Sequence, residues 1–487
     1  MLYTQLVRYT AIPTKFLPSI KKGGKVSSQL LYFWNVMRIS RIAGVILILL
    51  FANITSADAQ DTWSLQRCVD YALQNNLTVK QQEVQKRLAD LTLQQSRLQM
   101  IPGFSGSVTG GYTDGRSASL GDNQYVNQTV FNSSGNLNMQ ANLFSWFYQQ
   151  KTIAANKLDA QANSFLLEKA RNDLAFNVAT AFLQILLNIQ TEKVNEENVR
   201  LTNSNLDNTK KLVIAGSVPE SNQADLEAQL ALDSSNLVTA QNNVTLAILQ
   251  MKAYLNLGFE IPFKPDVPEN ISSLPLSALQ EMAPEMVYSA ALTNYPLVKS
   301  DELKIQSAAK AYQAAKAQLY PNLSISGGLS TYYANNYYED IAQTKVLPFH
   351  DQISNTYRKN IGLTLNIPIF NGWQQRTTVA RAKINVYSQE LIRDLDHQKL
   401  RQDIYTAHAN AIAALQKYNA SATGVMAAQK AYDFATKRFN LGLMNTIDYI
   451  TTQSKLYNAQ VNKVLAQYDY IFKMKLLEFY RDQKISL

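Results

Sequence analysis

Residues 136–144 read Asn-Leu-Asn-Met-Gln-Ala-Asn-Leu-Phe, a strict alternation of polar and apolar side chains. A period of two predicts a β-strand with one polar and one apolar face. The next seventy residues, 146–215, contain neither Gly nor Pro, and apolar residues recur there every three or four positions. This stretch predicts a very long helix, which would reach roughly 100 Å at about 1.5 Å per residue.

Alternating stretches of the same kind recur later in the chain, at residues 323–329 and 361–369. A length of about nine residues suits a β-strand that crosses a membrane. Aromatic residues at the inner strand ends then fall where a membrane-interface girdle is expected: Phe144, Trp146, Phe147, Phe370 and Trp373. The face of a soluble β-sandwich has the same periodicity, so the pattern alone leaves both possibilities open.

The chain contains two copies of one unit. Residues 72–80 match residues 291–299 at an offset of 219, and Gly216 matches Gly442 at an offset of 226. We therefore predict a first structural repeat at 60–256, a proline-rich connector at 257–284 and a second repeat at 285–487. Each repeat is expected to hold a first helix (residues 65–100 in the first copy), a β-hairpin and a pair of long helices that turn at the glycine. The predicted fold is mainly α-helical with membrane β-strands.

Strand counting limits how the sheet can close. Each copy offers two strands, so one chain supplies four, and external loops are expected at residues 113–135 and 333–356. An open sheet edge cannot lie in lipid because its backbone groups would be unsatisfied. The chain must therefore share a barrel with its neighbours, and the count permits two or three chains. The returning helices have heptad spacing, which predicts packing as coiled-coil pairs.

The N-terminal region has the features of an export signal. Arg38 and Arg41 precede the apolar residues 42–51, and Ala57-Asp58-Ala59 follows as a signal-peptidase site. The apolar run is too short for a transmembrane helix. We expect residues 1–59 to be a signal peptide region, with Met37 as the true start.

Composition excludes several classes of function. Seven of the 46 basic residues but only one of the 37 acidic residues lie within residues 1–59, so the exported chain is close to neutral. This argues against a nucleic-acid partner. One cysteine and three histidines do not supply a disulfide framework or a cysteine-rich zinc site, and Cys68 is expected to be a packing thiol. Catalytic motifs are also missing, so we expect no enzyme, no cofactor and no metal.

The repeated Ala-Leu-x-Asn stretch at residues 72–75 and 291–294 and the stretch Arg438-Phe439-Asn440-Leu441-Gly442-Leu443 resemble the TolC family of outer-membrane efflux ducts. The resemblance covers essentially residues 60–487. It implies a homotrimer with one twelve-stranded barrel in outer-membrane lipid of a Gram-negative bacterium, and an α-helical barrel in the periplasm. It also implies passive exit of cargo in a tripartite efflux or type I secretion system, with a periplasmic adaptor and an inner-membrane pump of RND or ABC type. The cargo is not indicated.

The resemblance also assigns roles to residues at the helix turns. The tips that meet the adaptor would be Gly216, Ser217, Val218, Leu441, Gly442, Leu443 and Met444; the glycines also serve as helix C-caps. Asp448 matches an aspartate that narrows the tunnel aperture, with Asp225 of the first copy as a further acid. The alternative for Asp448 is a helix-start acid favoured by the dipole. A non-transporting periplasmic coiled-coil scaffold remains the alternative function.

Overall fold

The computed structural model describes residues 62–118, 124–267, 282–339 and 345–483. The predicted signal peptide and the alternative start at Met37 lie outside the described residues. Within them are nine helices, which we number α1 (Leu65–Asn75), α2 (Leu77–Leu98), α3 (Tyr148–Ile214), α4 (Glu220–Leu255), α5 (Pro284–Asn294), α6 (Pro296–Ala317), α7 (Phe349–Asn355), α8 (Gln374–Asn440) and α9 (Thr446–Asp482). The strands are β1 (Thr62–Trp63), β2 (Gly103–Ala118), β3 (Tyr125–Phe144), β4 (Lys264–Pro265), β5 (Asn322–Ala334) and β6 (Arg358–Asn366).

The duplication is confirmed element by element. Helices α1 and α5 each have 11 residues, α2 and α6 each have 22, and α3 and α8 each have 67. The long helices begin and end at the sequence offset of 226 that the matched glycines gave. The predicted repeat boundaries themselves stay predictions, although α5 begins at Pro284, the last residue of the predicted connector.

The prediction of one continuous helix over residues 65–100 is wrong, because the chain breaks at Asn76. The backbone of Asn76 is extended, and its side-chain Oδ1 accepts hydrogen bonds from the backbone N–H of Thr78 at 2.8 Å and Val79 at 3.4 Å. This N-cap starts α2 directly after α1 ends. In the second copy Tyr295 is extended at the same position and Pro296 begins α6. In both copies the short helix before the break packs against long helices.

Four strands form one antiparallel sheet in the order β2-β3-β5-β6, as the count of two strands per copy predicted. Strands β2 and β6 are its edges. The prediction of an external loop at 113–135 is wrong: β2 runs to Ala118 and β3 begins at Tyr125, so most of this segment is a β-ribbon. Strand β3 pairs with β5 only as far as Asn132, opposite Ala334, and the β2-β3 ribbon therefore extends beyond the rest of the sheet.

The helices next to the sheet pack side by side in the same order as the strands to which they are connected. Helix α2 packs on α3, α3 on α6 and α6 on α8, so that α2 and α8 are the two outer helices of this layer. Farther from the sheet, α4 folds back along α3 and α9 along α8, and α9 also contacts α3 and α4. The heptad residues Leu226, Ala240, Ala247 and Met251 are buried on α4, as expected for a coiled-coil seam.

Equivalent residues of the two copies fill two equivalent cores. Val178 and Ile185 of α3 are fully buried, and so are Ile404 and Ala411, their counterparts in α8. Cys68 is fully buried at the position that Val287 occupies in the second copy. The thiol therefore fills an apolar position of the core, as expected from the sequence.

Candidate functional site

The sheet has an apolar face of the length that a membrane requires. Side chains opposite one another in antiparallel pairs share a face. Leu137 lies opposite Leu329, and Ala141 opposite Ile325, which in turn lies opposite Leu363. These pairs alternate with pairs of amides, hydroxyls and glycines, so that the sheet has one apolar and one polar face. Strand β6 is exposed along its whole length, including Ile361 at 78% and Leu363 at 66%.

The five predicted girdle aromatics lie together at the end of the sheet next to the long helices. Phe144 packs against Trp146 and Phe147, with ring centroids 5.5 and 5.8 Å apart. A β-bulge between Asn142 and Phe144 places Phe144 opposite Leu323, on the apolar face. Phe370 and Trp373 hold the equivalent positions in the second copy and are 78% and 58% exposed. Their role at the membrane interface stays a prediction.

A second aromatic cluster at the opposite end of the sheet was missed from the sequence. Tyr112 contacts Phe131, Phe131 contacts Tyr333, and Tyr333 contacts Phe349 of α7, with centroids 4.9 to 6.2 Å apart. Phe131 and Phe144 are 13 residues apart on β3, about 44 Å along a strand at about 3.4 Å per residue. With a strand tilt of about 40° this separation becomes roughly 33 Å, close to the thickness of a bilayer core.

Both helix turns are Schellman motifs. Gly216 has φ of 70° and Gly442 has φ of 71°. The N–H groups of Gly216 and Ser217 donate to the carbonyls of Val213 and Leu212, each at 2.9 Å. The corresponding bonds of the second turn run from Gly442 to Phe439 and from Leu443 to Arg438. Two orphan carbonyls at each helix end are thereby satisfied, which requires a left-handed residue at the glycine position and confirms the C-cap interpretation.

The predicted tip residues differ in accessibility. Leu441 and Leu443 are 73% and 65% exposed, whereas Val218 is half-buried and Met444 packs against a small core around Tyr449. Ile214, two residues before Gly216, was not predicted as a tip residue and is 87% exposed. The role of these tips as a docking surface stays a prediction.

Asp448 takes part in the capping of its own helix, because it lies in the first turn of α9, whose N-cap residue is Asn445. The backbone N–H of Asp448 donates to Oδ1 of Asn445 at 2.7 Å, and Nδ2 of Asn445 donates to Oδ2 of Asp448 at 2.8 Å. This reciprocal pair begins α9 and supports the helix-start interpretation. The carboxylate is nevertheless exposed. Asp225 is half-buried on α4. A role of either acid at the aperture stays a prediction.

A buried hydrogen-bonded cluster, which we call the polar layer, joins all four long helices; it consists of Thr202, Asn205, Gln229, Asp233, Tyr432, Tyr449 and Gln453. Asp233 of α4 is 2% exposed and occupies a heptad position. Its carboxylate accepts from Oγ1 of Thr202 at 2.7 Å and from Nε2 of Gln229 at 2.8 Å. Thr202 in turn accepts from Nε2 of Gln453 at 2.7 Å.

The polar layer continues into the second helix pair. Nδ2 of Asn205 lies 3.3 Å from Oε1 of Gln453 and donates to the hydroxyl of Tyr449 at 3.0 Å. The hydroxyls of Tyr449 and Tyr432 are 2.8 Å apart. Each of the seven side chains is hydrogen-bonded to another member of the layer, so we expect the layer to favour one alignment of α3 and α4 against α8 and α9.

A second buried acid lies between α6 and α8. Asp301 is 3% exposed, and its Oδ2 has no hydrogen-bond partner. Burial, and after it the nearby carboxyl of Asp396, raises the pKa of Asp301 to about 6; Lys304 opposes this shift.

The family model described as "Outer membrane efflux protein" matches residues 68–257 and 287–473, that is, most of both copies. The outer membrane efflux protein BepC of Brucella suis biovar 1 (strain 1330) is 21% identical over 87% of this chain and 86% of its own length. The outer membrane protein TolC of Escherichia coli (strain K12) is 25% identical over 61% of this chain and 59% of its own.

Among solved structures, the CmeC outer membrane channel of Campylobacter jejuni has a TM-score of 0.72 at 18% identity, covering 86% of this chain and 85% of that one. At this identity the likeness concerns the fold. It agrees with the duplicated unit, the membrane sheet and the long helices described above.

Proposed function

Because the chain belongs to the outer membrane efflux protein family, we propose that three copies of it form one continuous exit duct that docks to an adaptor and an inner-membrane pump. The chain is an outer-membrane efflux channel whose helices extend into the periplasm. Beyond this, we propose that the chain forms a homotrimer and that its partners are a periplasmic adaptor and an inner-membrane pump of RND or ABC type. The observation that carries the proposal has two parts. In the described part of the chain, the edge strands of the sheet each pair on one side only, and the outer helices α2 and α8 that adjoin them have exposed apolar side chains.

The sheet edges support assembly. Within the described residues, β2 and β6 each pair on one side only, and four strands are too few to close a barrel. Backbone groups on these edges would be unsatisfied in lipid. Pairing β2 of one copy with β6 of the next satisfies both edges at once. Three copies would give twelve strands.

The outer helices carry matching apolar stripes. On α2, which leads into β2, the exposed side chains are Leu77, Val84, Leu88, Leu91 and Leu98, at spacings of three, four and seven. On α8, which follows β6, they are Ile384, Tyr387, Leu391 and Leu395, all at least 45% exposed. Both stripes have the spacing of a coiled-coil seam. Each continues a sheet edge, so one neighbour would cover the edge and the stripe together.

The tips are the surface proposed for the adaptor. Their exposed apolar side chains lie at the end of the helices farthest from the sheet, where a periplasmic partner would approach. The proposed contact residues are Gly216, Ser217, Val218, Leu441, Gly442, Leu443 and Met444. Bulky replacements at Ser217 or Leu443 are expected to abolish export while the native mass of the assembly stays unchanged, and intact export by such variants would contradict the docking role.

The decisive experiment is the native mass of the protein extracted in detergent from purified outer membranes. A mass of three chains is expected for the wild type. Leu395→Asp places a charge within the proposed seam and is expected to give monomers. Phe259→Asp changes a side chain that is similarly exposed, at 62%, but lies outside both stripes, so it serves as the control. A wild-type monomer in the soluble periplasmic fraction would refute the duct and favour a coiled-coil scaffold.

A further inference from the structure

The polar face of the sheet carries amides, hydroxyls and glycines. Asn138 lies opposite Gly328, which lies opposite Asn360. A Cβ atom added to Gly328 would come within 2.6 Å of Oδ1 of Asn360 and 3.2 Å of Oδ1 of Asn138. Both amides therefore project over this glycine on the same face. In a barrel whose apolar face contacts lipid, this polar face lines the lumen.

One row of this face differs from the others. The rows nearer the long helices are uncharged and contain Gln140, Ser326 and Gly362, and then Asn142, Ser324 and Thr364. The row on the other side of Asn138 contains Asn136, Ser330 and Arg358. Arg358 is exposed and begins β6 at the end of the sheet away from the long helices.

The other charged strand residues lie elsewhere. Lys359 lies opposite Leu329 on the apolar face, and its Nζ is 5.3 Å from the ring of Tyr357. Asp114 is two residues beyond Tyr112 and accepts a hydrogen bond from Thr129 at 2.5 Å, in the ribbon that extends beyond β5. Arg116 lies still farther along this ribbon. Of the described residues in these four strands, Arg358 therefore supplies the charge on the lumen face where β3, β5 and β6 pair.

We propose that Arg358 of the three chains forms a basic ring on the lumen wall near the outer end of the barrel, and that this ring favours anionic over cationic cargo at the exit. The proposal rests on the trimeric duct of the preceding section. It deepens that function by naming the charge class of the cargo that passes the last part of the channel.

The physical reason is the neutral wall around the ring. Rings of Arg or Lys attract anions into a pore and repel cations, as rings of carboxylates do the reverse. The neighbouring rows hold neutral dipoles, and no carboxylate of these rows offsets the three guanidinium groups. The field of such a ring extends about 10 Å into the lumen at 0.1 M salt and only about 3 Å at 1 M. The selectivity it produces must therefore weaken as the salt concentration rises.

The test uses the full-length mature protein, purified and inserted into planar lipid bilayers with a KCl gradient. The reversal potential gives the permeability ratio of chloride to potassium. Arg358→Gln removes the lumen charge, Arg358→Lys keeps it, and Lys359→Gln removes an equal charge from the adjacent residue on the apolar face. Liposomes loaded with an anionic or a cationic dye of similar size measure the same preference for larger solutes. Native mass verifies the assembly of each variant.

The chloride-to-potassium ratio is expected to fall at least about twofold in Arg358→Gln at 0.1 M KCl and to change less at 1 M. Arg358→Lys and Lys359→Gln are expected to match the wild type, and the release of anionic relative to cationic dye should follow the same order. Equal ratios in Arg358→Gln and Lys359→Gln, with conducting trimers in both, would overturn the basic ring while leaving the duct intact. A wild type that forms no trimer and no channel would overturn the duct, and the ring with it.

Discussion

Replacing Asp233 by Asn tests whether the polar layer fixes the alignment of the four long helices. The carboxylate offers one oxygen to Thr202 and the other to Gln229. An amide keeps the shape but turns one acceptor into a donor, so one of these bonds must be lost. A buried donor left without an acceptor costs about 1–3 kcal/mol, which corresponds to about a 5- to 150-fold rise in the local opening equilibrium. The side chain is 2% exposed, so water does not replace the lost acceptor.

Hydrogen exchange followed by mass spectrometry measures this change in the assembled protein. Amides of residues 198–206 and 229–237 are expected to exchange about 5- to 150-fold faster. Peptides around Ile185, in the core nearer the sheet, should not change. Asp207→Asn is the control, because Asp207 is exposed on the same helix as Thr202. Unchanged protection around residue 233, or an equal change in the control, would refute the role assigned to the polar layer.

Three further predictions concern single residues. Gly442→Ala is expected to lower the stability by about 1–2 kcal/mol, because φ of 71° strains any residue with a Cβ, although that atom would meet open space. The control is Gly424→Ala in the exposed interior of α8, which should instead raise the stability by up to about 1 kcal/mol. Thermal melting of both variants measures the difference. Asp301→Asn is expected to raise the melting temperature at pH 7.5, about half as much at pH 5 and hardly at all at about pH 3.8. The folded pKa of about 6 lies above the ordinary value of 3.8, so the stability present below pH 3.8 is lost as the pH rises from 3.8 through 6, and a gain independent of pH would contradict this. Asp448→Asn is expected to lower the cation preference of single channels if the aperture ring exists, and an unchanged preference would leave Asp448 as a helix cap alone.

The long helices and their turns could be predicted from the sequence because each is set by local chemistry. In the first copy, the absence of Gly and Pro from residues 146–215 permits an uninterrupted helix, and in both copies a glycine followed by a new heptad pattern marks the turn. The structure places Gly216 and Gly442 where left-handed backbone is needed, so the matched glycines located both turns correctly.

The break at Asn76 was not predicted from the apolar pattern. This pattern does not show that the Asn76 side chain competes with backbone carbonyls for the N–H groups of the following residues. Residues 65–100 have no Gly or Pro, but Asn76 satisfies the first N–H groups of a new helix through its own side chain. Its Nδ2 also donates to the backbone carbonyl of Tyr254, 178 residues away, at 2.8 Å. A tertiary contact therefore supports the break. In the second copy Pro296 was the visible signal, and comparing the copies would have revealed both breaks.

The full length of strand β2 was not predicted, for a different reason. It contains Gly103, Gly106, Gly110, Gly111 and Gly115, a composition that is typical of loops. Barrel strands tolerate it because backbone pairing to β3 continues through all sixteen residues. The outer aromatic cluster was lost with it, since Tyr112 and Phe131 lay close to or inside what was interpreted as a loop. Partner choice between distant strands, which sets the register, is not encoded in local composition.

The equal length of the two long helices constrains how this protein can change over evolutionary time. Deleting seven residues from α3 alone would shorten this helix by about 10 Å, so that its turn would no longer lie level with the turn after α8. A deletion of one residue would in addition rotate everything beyond it by about 100°, moving the seam of the coiled coil to the wrong side. Insertions and deletions are therefore tolerated in these arms only as whole heptads and only in pairs, one in each copy. The two halves of the gene, although their sequences have diverged, must therefore still encode long helices of equal length.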